Sequence, residues 1–247
     1  MQSAPIVPSL PARLRSETQA LHTAAERSRF MGALLRGRVA RPAYCAMLRN
    51  LHAIYAVLEP ALTRHAQHPA LAPVLAQDGM AALWRSAALG ADLQQLHGTA
   101  WADAISLQAA TQRYLQRLHL LDATRPELLL AHAYVRYLGD LSGGQALSRI
   151  VASSPILNVG SCASAANATP AATAFYDFGD AAQTQALIQA FRAGLSAVVV
   201  DAATADALVA EARLAFELHC ALFDELAHAC GLGDAVPAPA LAPLALA

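Results

Sequence analysis

Lysine is missing from the 247-residue sequence, and all 17 basic residues are arginine. A phosphate-binding loop of the G-x-x-x-x-G-K-[ST] type needs a lysine, so nucleotide hydrolysis through such a loop is excluded. An excess of either charge is missing too, because the formal net charge is −1 and only 14% of residues are charged. We therefore do not expect a nucleic-acid binder. Any anion must be held by arginine, histidine, hydroxyl groups or backbone amides.

Cysteine is sparse, and none of the four cysteines forms a C-x-x-C or C-x-x-C-H arrangement. The spacings of structural zinc sites and of covalently attached c-type haem are therefore absent. Isolated cysteines in a chain of this size are typical of a reducing compartment. The N-terminus has no basic segment followed by an apolar one, and apolar runs are far shorter than the ~20 residues of a membrane span. We expect a soluble, cytoplasmic protein without a membrane span.

The abundant features are apolar residues, at 56% of the chain, and helical periodicity. Leu10, Leu14 and Leu21 lie on one face of a helix, and no segment alternates convincingly as a strand would. Similar apolar stripes occur over residues 42–66, 78–98, 101–121, 180–199 and 203–230. The sequence therefore predicts an all-α fold.

Glycine and proline predict where these helices end. Gly32 and Gly37 indicate a break near the end of the first helix, while Thr124 and Pro126 favour an N-cap and first turn of a later one. The resulting organisation is one helical domain with less regular ends and one long connection. Its predicted parts are a flexible lead-in at 1–8, a helical domain at 9–230 with a loop at 153–174, and a mobile Pro/Ala-rich tail at 231–247.

One helical stretch, residues 132–147, contains three glycines: Gly139, Gly143 and Gly144. Each glycine inside a helix costs roughly 0.5–1 kcal/mol relative to alanine. Gly139 and Gly143 are four residues apart and share one helical face. A strip without side chains lets a flat ligand approach the backbone and also allows the helix to bend. The pattern predicts a binding helix.

Within this stretch, the segment Leu141-Ser-Gly-Gly-Gln145 matches the signature motif of ABC-type ATPases. Those proteins also need the lysine-containing phosphate loop after a strand. The chain has no lysine and no strand pattern, so we reject the ATPase interpretation.

A longer match connects the same stretch to the haem oxygenases. The run HAYVRYLGDLSGGQ, which begins at His132, closely resembles the distal helix of that family. Other segments resemble the proximal helix, the helix after it and the C-terminal helices: residues 21–31, 51–59, 175–178, 191–192 and 215–226. The resemblance spans roughly residues 10–228. It implies a single-domain, all-α fold with haem between a proximal helix and a kinked, Gly-rich distal helix.

The resemblance also implies which residues hold the haem. His22 occupies the position of the proximal iron ligand, and Glu26, one turn further on, would orient its ring. Tyr134 and Arg192 match positions on the propionate side, and Arg15, seven residues before His22 and about 10 Å along the same helix face, is within reach of that edge. From the residues alone, Glu26 could instead pair with a nearby arginine, and Arg15 could simply face solvent.

On the distal side, the resemblance assigns proton delivery to Asp140 through a water network. Arg136 would pair with Asp140, and Tyr55 on the neighbouring helix would extend the network. Each of these polar groups could alternatively be a satisfied core residue. The residues expected nearest the ring are Gly139, Ser142 and Gly143.

The activity that follows is oxidative opening of haem at a meso carbon to biliverdin, ferrous iron and CO. Haem would be both substrate and prosthetic group, and O2 and an external electron donor of the reductase or ferredoxin type would be required. Lysine positions of mammalian members hold Gln19 and Ile188, so the biliverdin isomer stays open. The arginine-rich residues 36–49 could dock the donor or could be merely solvated. The alternatives are a non-catalytic haem carrier of the same fold and a helical interaction module without a cofactor.

Overall fold

The protein is described here by a computed structural model that covers residues 9–154, 157 and 172–232. These residues form helices, turns and bends and contain no strand, so the predicted all-α fold is confirmed. The lead-in at 1–8, most of the 153–174 loop and the tail from residue 233 lie outside the described residues. Within the described helices, none is long and apolar enough to cross a membrane.

Ten α-helices follow one another along this part of the chain: α1 (Leu10–Glu26), α2 (Arg29–Leu35), α3 (Arg41–Arg64), α4 (Ala72–Leu75), α5 (Ser86–His97), α6 (Trp101–Ala104), α7 (Ala109–Thr124), α8 (Leu129–Ser153), α9 (Ala181–Ser196) and α10 (Ala202–Ala229). Short 3-10 turns occur at Met80–Leu83, Pro126–Leu128 and Ala174–Tyr176. α1 packs along α10, α3 packs against α5 and α7, and α8 packs against α10.

The first helix ends earlier than the glycines predicted. α1 ends at Glu26, and Ser28 caps α2 by accepting a hydrogen bond from the backbone N–H of Met31 at 3.3 Å. Gly32 lies inside α2, whereas Gly37, with φ of 63°, lies beyond its end. A serine that satisfies a free N–H at a helix start therefore decided the boundary, rather than the first glycine.

The predicted start of α8 was also wrong. Thr124 is the last residue of α7, and its Oγ1 donates to the carbonyl of Leu120 at 2.7 Å. Pro126 begins a 3-10 turn instead, and α8 starts at Leu129. Threonine can bond back to the preceding turn as readily as it can cap the next helix, and here it does the former.

α8 changes its environment along its length. From Leu129 to Leu138 every residue is buried, as expected of a helix surrounded by others. At Gly139 the helix becomes half-buried, and the hydrogen-bonded helix nevertheless continues to Ser153. The glycines therefore mark the point where the central helix leaves the core and borders open space. The bend predicted there stays a prediction.

The 3-10 turn Ala174–Tyr176 is held by two buried side chains of opposite charge, Arg85 just before α5 and Asp92 within it. Arg85 Nη1 donates to the carbonyl of Phe175 at 3.3 Å. The carboxylate of Asp92 accepts from the backbone N–H groups of Ala174 and Phe175, both at 2.9 Å. Because both the carbonyl and the N–H groups of this irregular segment are satisfied, it forms a fixed wall beside α8.

Candidate active site

A cleft with about 840 Å³ of empty space, part of it open to solvent, lies between α1, α2, α3, α8, α10 and the turn Ala174–Tyr176. Its lining is mostly apolar and includes methionine, leucine and phenylalanine side chains. The polar side chains in the lining are His22, Glu26, Arg136, Asp140, Tyr176 and His219. An apolar cleft with a few convergent polar groups is typical of a small-molecule site.

The glycines of α8 leave part of this cleft open. Gly139 and Gly143 both line it, and a Cβ added to either would meet no atom within 4 Å. Packing of the protein against itself therefore does not require glycine at these positions. At Gly144, a Cβ would come into ordinary contact with the backbone oxygen of Tyr176 at 3.6 Å. The space over Gly139 and Gly143 fits a flat ligand that contacts the helix backbone.

Another wall of the cleft is formed by α1, which carries His22. Its Nδ1 lies 3.7 Å from Oε2 of Glu26, beyond hydrogen-bond distance, and 15% of its side chain is exposed. The ring meets Phe216 of α10 edge-on, with centroids 5.8 Å apart. An imidazole held by packing, with ring nitrogens not fixed by a short hydrogen bond, can serve as a metal ligand.

On the α8 wall of the cleft, the guanidinium of Arg136 joins three other polar side chains. Its Nε donates to the hydroxyl of Tyr55 at 3.2 Å, and its Nη2 donates to Oδ1 of Asp140 at 3.2 Å. Its Nη1 lies 3.1 and 3.3 Å from the two ring nitrogens of His219. The Tyr55 hydroxyl donates in turn to Oδ2 of Asp140. These side chains form the distal network, which draws on α3, α8 and α10.

Burial controls the protonation of this network. It raises the pKa of Asp140, although Arg136 and the hydrogen bond from Tyr55 act in the opposite direction. It also raises the pKa of the Tyr55 hydroxyl well above its usual value. Burial and the charge of Arg136 hold the pKa of His219 well below its usual value. Asp140 therefore keeps a proton more readily than an exposed carboxyl group, as a proton-transferring residue at neutral pH requires.

The residues predicted for the propionate side form a separate group. Burial raises the pKa of Tyr134, and the charges of Arg15 and Arg192 lower it, so both arginines act on this hydroxyl. Burial and the charge of Arg15 lower the pKa of Arg192. Tyr134 precedes Val135, which lines the cleft, whereas the three residues themselves are absent from the lining. Two adjacent cations favour an anionic partner.

Two further predicted residues lie outside the lining. Tyr55 reaches the cleft through its hydrogen bonds with Asp140 and Arg136, which both line it. Ser142 is half-buried and does not line the cleft, whereas Gly144, which was not predicted, does. A helix turns about 100° per residue, so Ser142 lies about 60° from Gly139 on the side away from Asp140 and Gly144, which line the cleft.

Sequence reasoning missed His219 and Tyr176. His219 follows Phe216 by three residues and precedes Phe223 by four, and all three line the cleft. That spacing on one face of α10 is a signal that was available. Tyr176 lies in the irregular turn, where no periodicity could indicate its direction. Its hydroxyl is 3.3 Å from that of Tyr44, which donates to it.

A buried group that includes an ion pair connects α8 with α7 and α10. His132 Nδ1 lies 2.9 Å from the hydroxyl of Tyr114, and Nε2 lies 2.9 Å from Oε1 of Glu211. Arg117 donates to both oxygens of the same carboxylate. Burial acts to raise the pKa of Glu211, but the hydrogen bonds from Arg117 and His132 lower it to about 2. His132 is thus a satisfied core residue.

Comparison with known proteins points to one family. A family model described as "Heme oxygenase" matches residues 8–225. Heme oxygenase 1 of Nostoc sp. (strain PCC 7120) is 36% identical over 218 residues, which are 88% of this chain and 86% of that protein. Human heme oxygenase 1 is 36% identical over 213 residues, or 86% of this chain and 70% of that protein.

Solved structures give the same result. Heme oxygenase-2 from Synechocystis sp. PCC 6803, in complex with heme and NO, matches with a TM-score of 0.79 and 32% identity, covering 90% of this chain and 87% of that one. Heme oxygenase-1 from the same cyanobacterium, in complex with heme, has a TM-score of 0.77 and 33% identity, with coverages of 91% and 97%. Both matches extend over most of the helices that form the cleft.

Proposed function

Since the chain belongs to the haem oxygenase family, we propose that it opens the haem ring at a meso carbon, giving biliverdin, ferrous iron and CO. The reaction consumes O2 and electrons from an external donor. The observation that carries the proposal is the cleft itself. It places His22 on one wall and, on the other, a side-chain-free strip of α8 beside Asp140.

The residues of the cleft fit haem as the substrate. His22 would bind the iron, and Glu26 would orient the imidazole ring. Arg15, Tyr134 and Arg192 would hold the propionates, because two guanidinium groups and a hydroxyl complement carboxylates. Gly139, Ser142 and Gly143 are proposed to lie nearest the ring. When bound, haem supplies both the iron that activates O2 and the carbon that is oxidised.

The distal network would deliver the protons. Asp140 would hold a proton on its carboxyl group and pass it through water into the cleft. Arg136 would fix the carboxyl group from one side, and Tyr55 would fix it from the other. Because both partners are buried, the position of the proton would be controlled by the protein rather than by bulk solvent.

A haem carrier of the same fold is the principal alternative. A carrier needs an apolar cleft and an iron ligand, both of which are present. It does not need a carboxyl group with a raised pKa in the lining of the cleft, and Asp140 is such a group. A cofactor-free interaction module would not explain the open strip over Gly139 and Gly143.

We also propose a donor, a compartment and a functional unit. Four arginines near the end of α2 and on α3 would attract an acidic reductase or ferredoxin. Arg38 is exposed, whereas Arg41 donates to the carbonyl of Leu157 at 3.0 Å, and Arg49 lies over the ring of Trp101 at 5.4 Å. Arg38 is thus the best placed of these side chains to meet a partner. Residues 9–230 would form the functional unit, in the cytoplasm.

The test is reconstitution. Purified protein is titrated with haemin, the Soret band is recorded, and an electron donor is added under air. Haem oxygenase activity predicts a histidine-ligated spectrum followed by biliverdin absorption and CO release. A stable oxygenated complex without biliverdin would support the carrier. Absence of a Soret shift would support the interaction module. Chromatography of the product would then identify the biliverdin isomer.

A further inference from the structure

Three aromatic side chains lie in a row between the distal network and a second groove. The rings of Tyr55 and Tyr137 have centroids 5.7 Å apart, and those of Tyr137 and Trp84 have centroids 5.8 Å apart. Both separations are those of contacting aromatic pairs. Tyr55 and Tyr137 are fully buried, whereas Trp84 is half-buried. The row therefore runs from the interior of the protein to its surface.

The second groove, which we call the outer groove, lies between α3 and α5 and contains about 1170 Å³ of empty space, part of it open to solvent. Trp84 lines it together with His52, Ala56 and Ser86, among others. None of the described residues that line the outer groove also lines the cleft. The outer groove is therefore a separate place where solvent and small solutes reach an indole ring.

The hydroxyl of Tyr137 is not explained by packing. It is buried, and among the residues that the structure describes it has no hydrogen-bond partner. A buried hydroxyl without a partner destabilises the folded state, and phenylalanine would fill nearly the same space without that cost. What tyrosine adds is chemical, because its ring gives up an electron far more readily than the ring of phenylalanine.

At the inner end of the row, Tyr55 is arranged to lose an electron and a proton together. Its hydroxyl donates to Oδ2 of Asp140, which lines the cleft. An oxidised tyrosine becomes a strong acid and must transfer its phenolic proton, and this carboxylate is in place to accept it. Burial raises the pKa of Asp140, which makes it a better proton acceptor.

We propose that Tyr55, Tyr137 and Trp84 form a path for one-electron oxidation, which carries an oxidising equivalent from the cleft to Trp84 in the outer groove. The path goes beyond the proposed ring-opening reaction and rests on it only for the source of the oxidant, which is derived from peroxide in the cleft. Met31 and Met47 line the cleft, and their thioethers are oxidisable. A path that leads oxidising equivalents away spares them.

Each electron and proton on this path has a destination. The oxidant takes one electron from Tyr55, whose phenolic proton moves along the hydrogen bond to Asp140. Trp84 then supplies an electron through Tyr137, which restores Tyr55 as Asp140 returns the proton. The indole N–H proton of Trp84 passes to water in the outer groove. The net change is the loss of one electron and one proton from Trp84, which a reducing solute in the groove can reverse.

The first experiment treats the haemin complex with hydrogen peroxide. Peptide mass spectrometry measures the oxidation of Trp84, and freeze-quench EPR of protein with ring-deuterated tryptophan identifies the radical. Tyr137→Phe interrupts the path while keeping the ring. Trp101, the other tryptophan of the sequence, is also half-buried and contacts His52, so it is the internal control.

We expect wild-type protein to oxidise Trp84 several-fold more than Trp101 and to give a tryptophanyl signal that Trp84→Phe abolishes. Tyr137→Phe should lower the oxidation of Trp84 several-fold, raise that of Met31 and leave that of Trp101 unchanged. Equal oxidation of Trp84 in the wild type and in Tyr137→Phe would overturn the proposal, because peroxide would then reach the indole through solvent.

The second experiment needs no haem. In Trp101→Phe, where Trp84 is the one tryptophan left in the sequence, azide radicals from pulse radiolysis oxidise the indole. Conversion of the tryptophanyl absorption into that of a tyrosyl radical measures transfer along the same path in reverse. We expect a rate that does not depend on protein concentration and that Tyr137→Phe lowers several-fold. Equal rates with and without the Tyr137 hydroxyl would overturn the proposal.

The two experiments separate this path from the proposed function. A wild-type protein that bound no haem, or bound it without making biliverdin, would contradict the proposed function. The radiolysis result would still decide whether Tyr137 couples Trp84 to the tyrosines of the interior.

Discussion

Both walls of the cleft carry a pair of ionisable residues four apart on a helix, and the two pairs differ in burial. On α1, His22 and Glu26 are 3.7 Å apart, with 15% and 31% of their side chains exposed. On α8, Arg136 and Asp140 are 3.2 Å apart, with 5% and 11% exposed. A partly exposed pair contributes little, whereas a buried charge that loses its partner is strongly destabilised. The wall proposed to supply the iron ligand is thus the more exposed, and the wall proposed to control protons is the more buried.

The largest expected effect is at His22, on the α1 wall of the cleft. His22→Ala should abolish the histidine-ligated spectrum and biliverdin formation, because the iron would lose its protein ligand. Optical spectra of the haemin complex check the first result, and product assays check the second. His52→Ala, which changes a half-buried histidine that does not line the cleft, is the control. An unchanged spectrum in His22→Ala would show that another histidine binds the iron.

A substitution of Asp140, on the α8 wall of the cleft, should separate haem binding from turnover. Asp140→Ala is expected to keep haem affinity and to lower biliverdin yield by roughly 100-fold or more, within the usual contribution of a general acid. Asp140→Asn keeps the size of the side chain but cannot carry the same proton, so it should resemble alanine. Haemin titration and single-turnover assays measure the two quantities. An undiminished yield would rule out the proton-delivery role.

The buried group of His132, Arg117 and Glu211 should affect the pH dependence of stability. Folding lowers the pKa of Glu211 from 4.5 to about 2, so the folded state binds fewer protons than the unfolded state between these values. The stability from this group is therefore present above pH 4.5 and is lost as the pH falls toward about 2. It amounts to about 3 kcal/mol on the usual conversion of pKa shifts.

Glu211→Gln tests this directly. The free energy of unfolding, from denaturant titrations across acidic pH, should fall less steeply in the variant than in the wild type. Parallel curves would show that Glu211 titrates alike in both states. Glu17→Gln is the control, because its carboxylate is an exposed partner of Arg13 with 41% of its side chain accessible.

The smallest expected effect distinguishes a glycine kept for the ligand from one kept for packing. Gly143→Ala should stabilise the haem-free protein by about 0.5–1 kcal/mol, because helix propensity improves and no atom is met. It should also weaken haemin binding. Gly194→Ala should destabilise the protein, since its Cβ would lie 2.5 Å from the carbonyl of Pro73. Thermal unfolding and haemin titration provide both numbers. Unaltered haemin affinity in the Gly143→Ala protein would show that haemin does not occupy the space over Gly143.

Local patterns predicted much of the fold. The period of the apolar residues predicts the helical class, and the four-residue spacing of Arg136 and Asp140 places them on one face of a helix. The start of α8 was wrong because Thr124 had two local hydrogen-bonding options, and only the folded chain decides between them.

Long-range convergence was not predictable from local patterns. Arg136 and His219 are 83 residues apart, and their contact depends on how α8 crosses α10. Tyr176 enters the cleft from a segment without periodicity, whose direction is set by Arg85 and Asp92 from elsewhere in the chain. In both cases the information lies in tertiary packing, which a pattern along one helix does not contain.

α10 has a consequence for both walls together. Phe216 meets His22 and, three residues later, His219 meets Arg136. A helix rises ~1.5 Å per residue, so these two contacts are about 4.5 Å apart along one axis. Their spacing is held by the backbone hydrogen bonds of the helix and cannot change without unwinding it. A small axial slide of α10 would therefore change the positions of His22, the proposed iron ligand, and of Arg136, in the proposed proton relay, in the same movement.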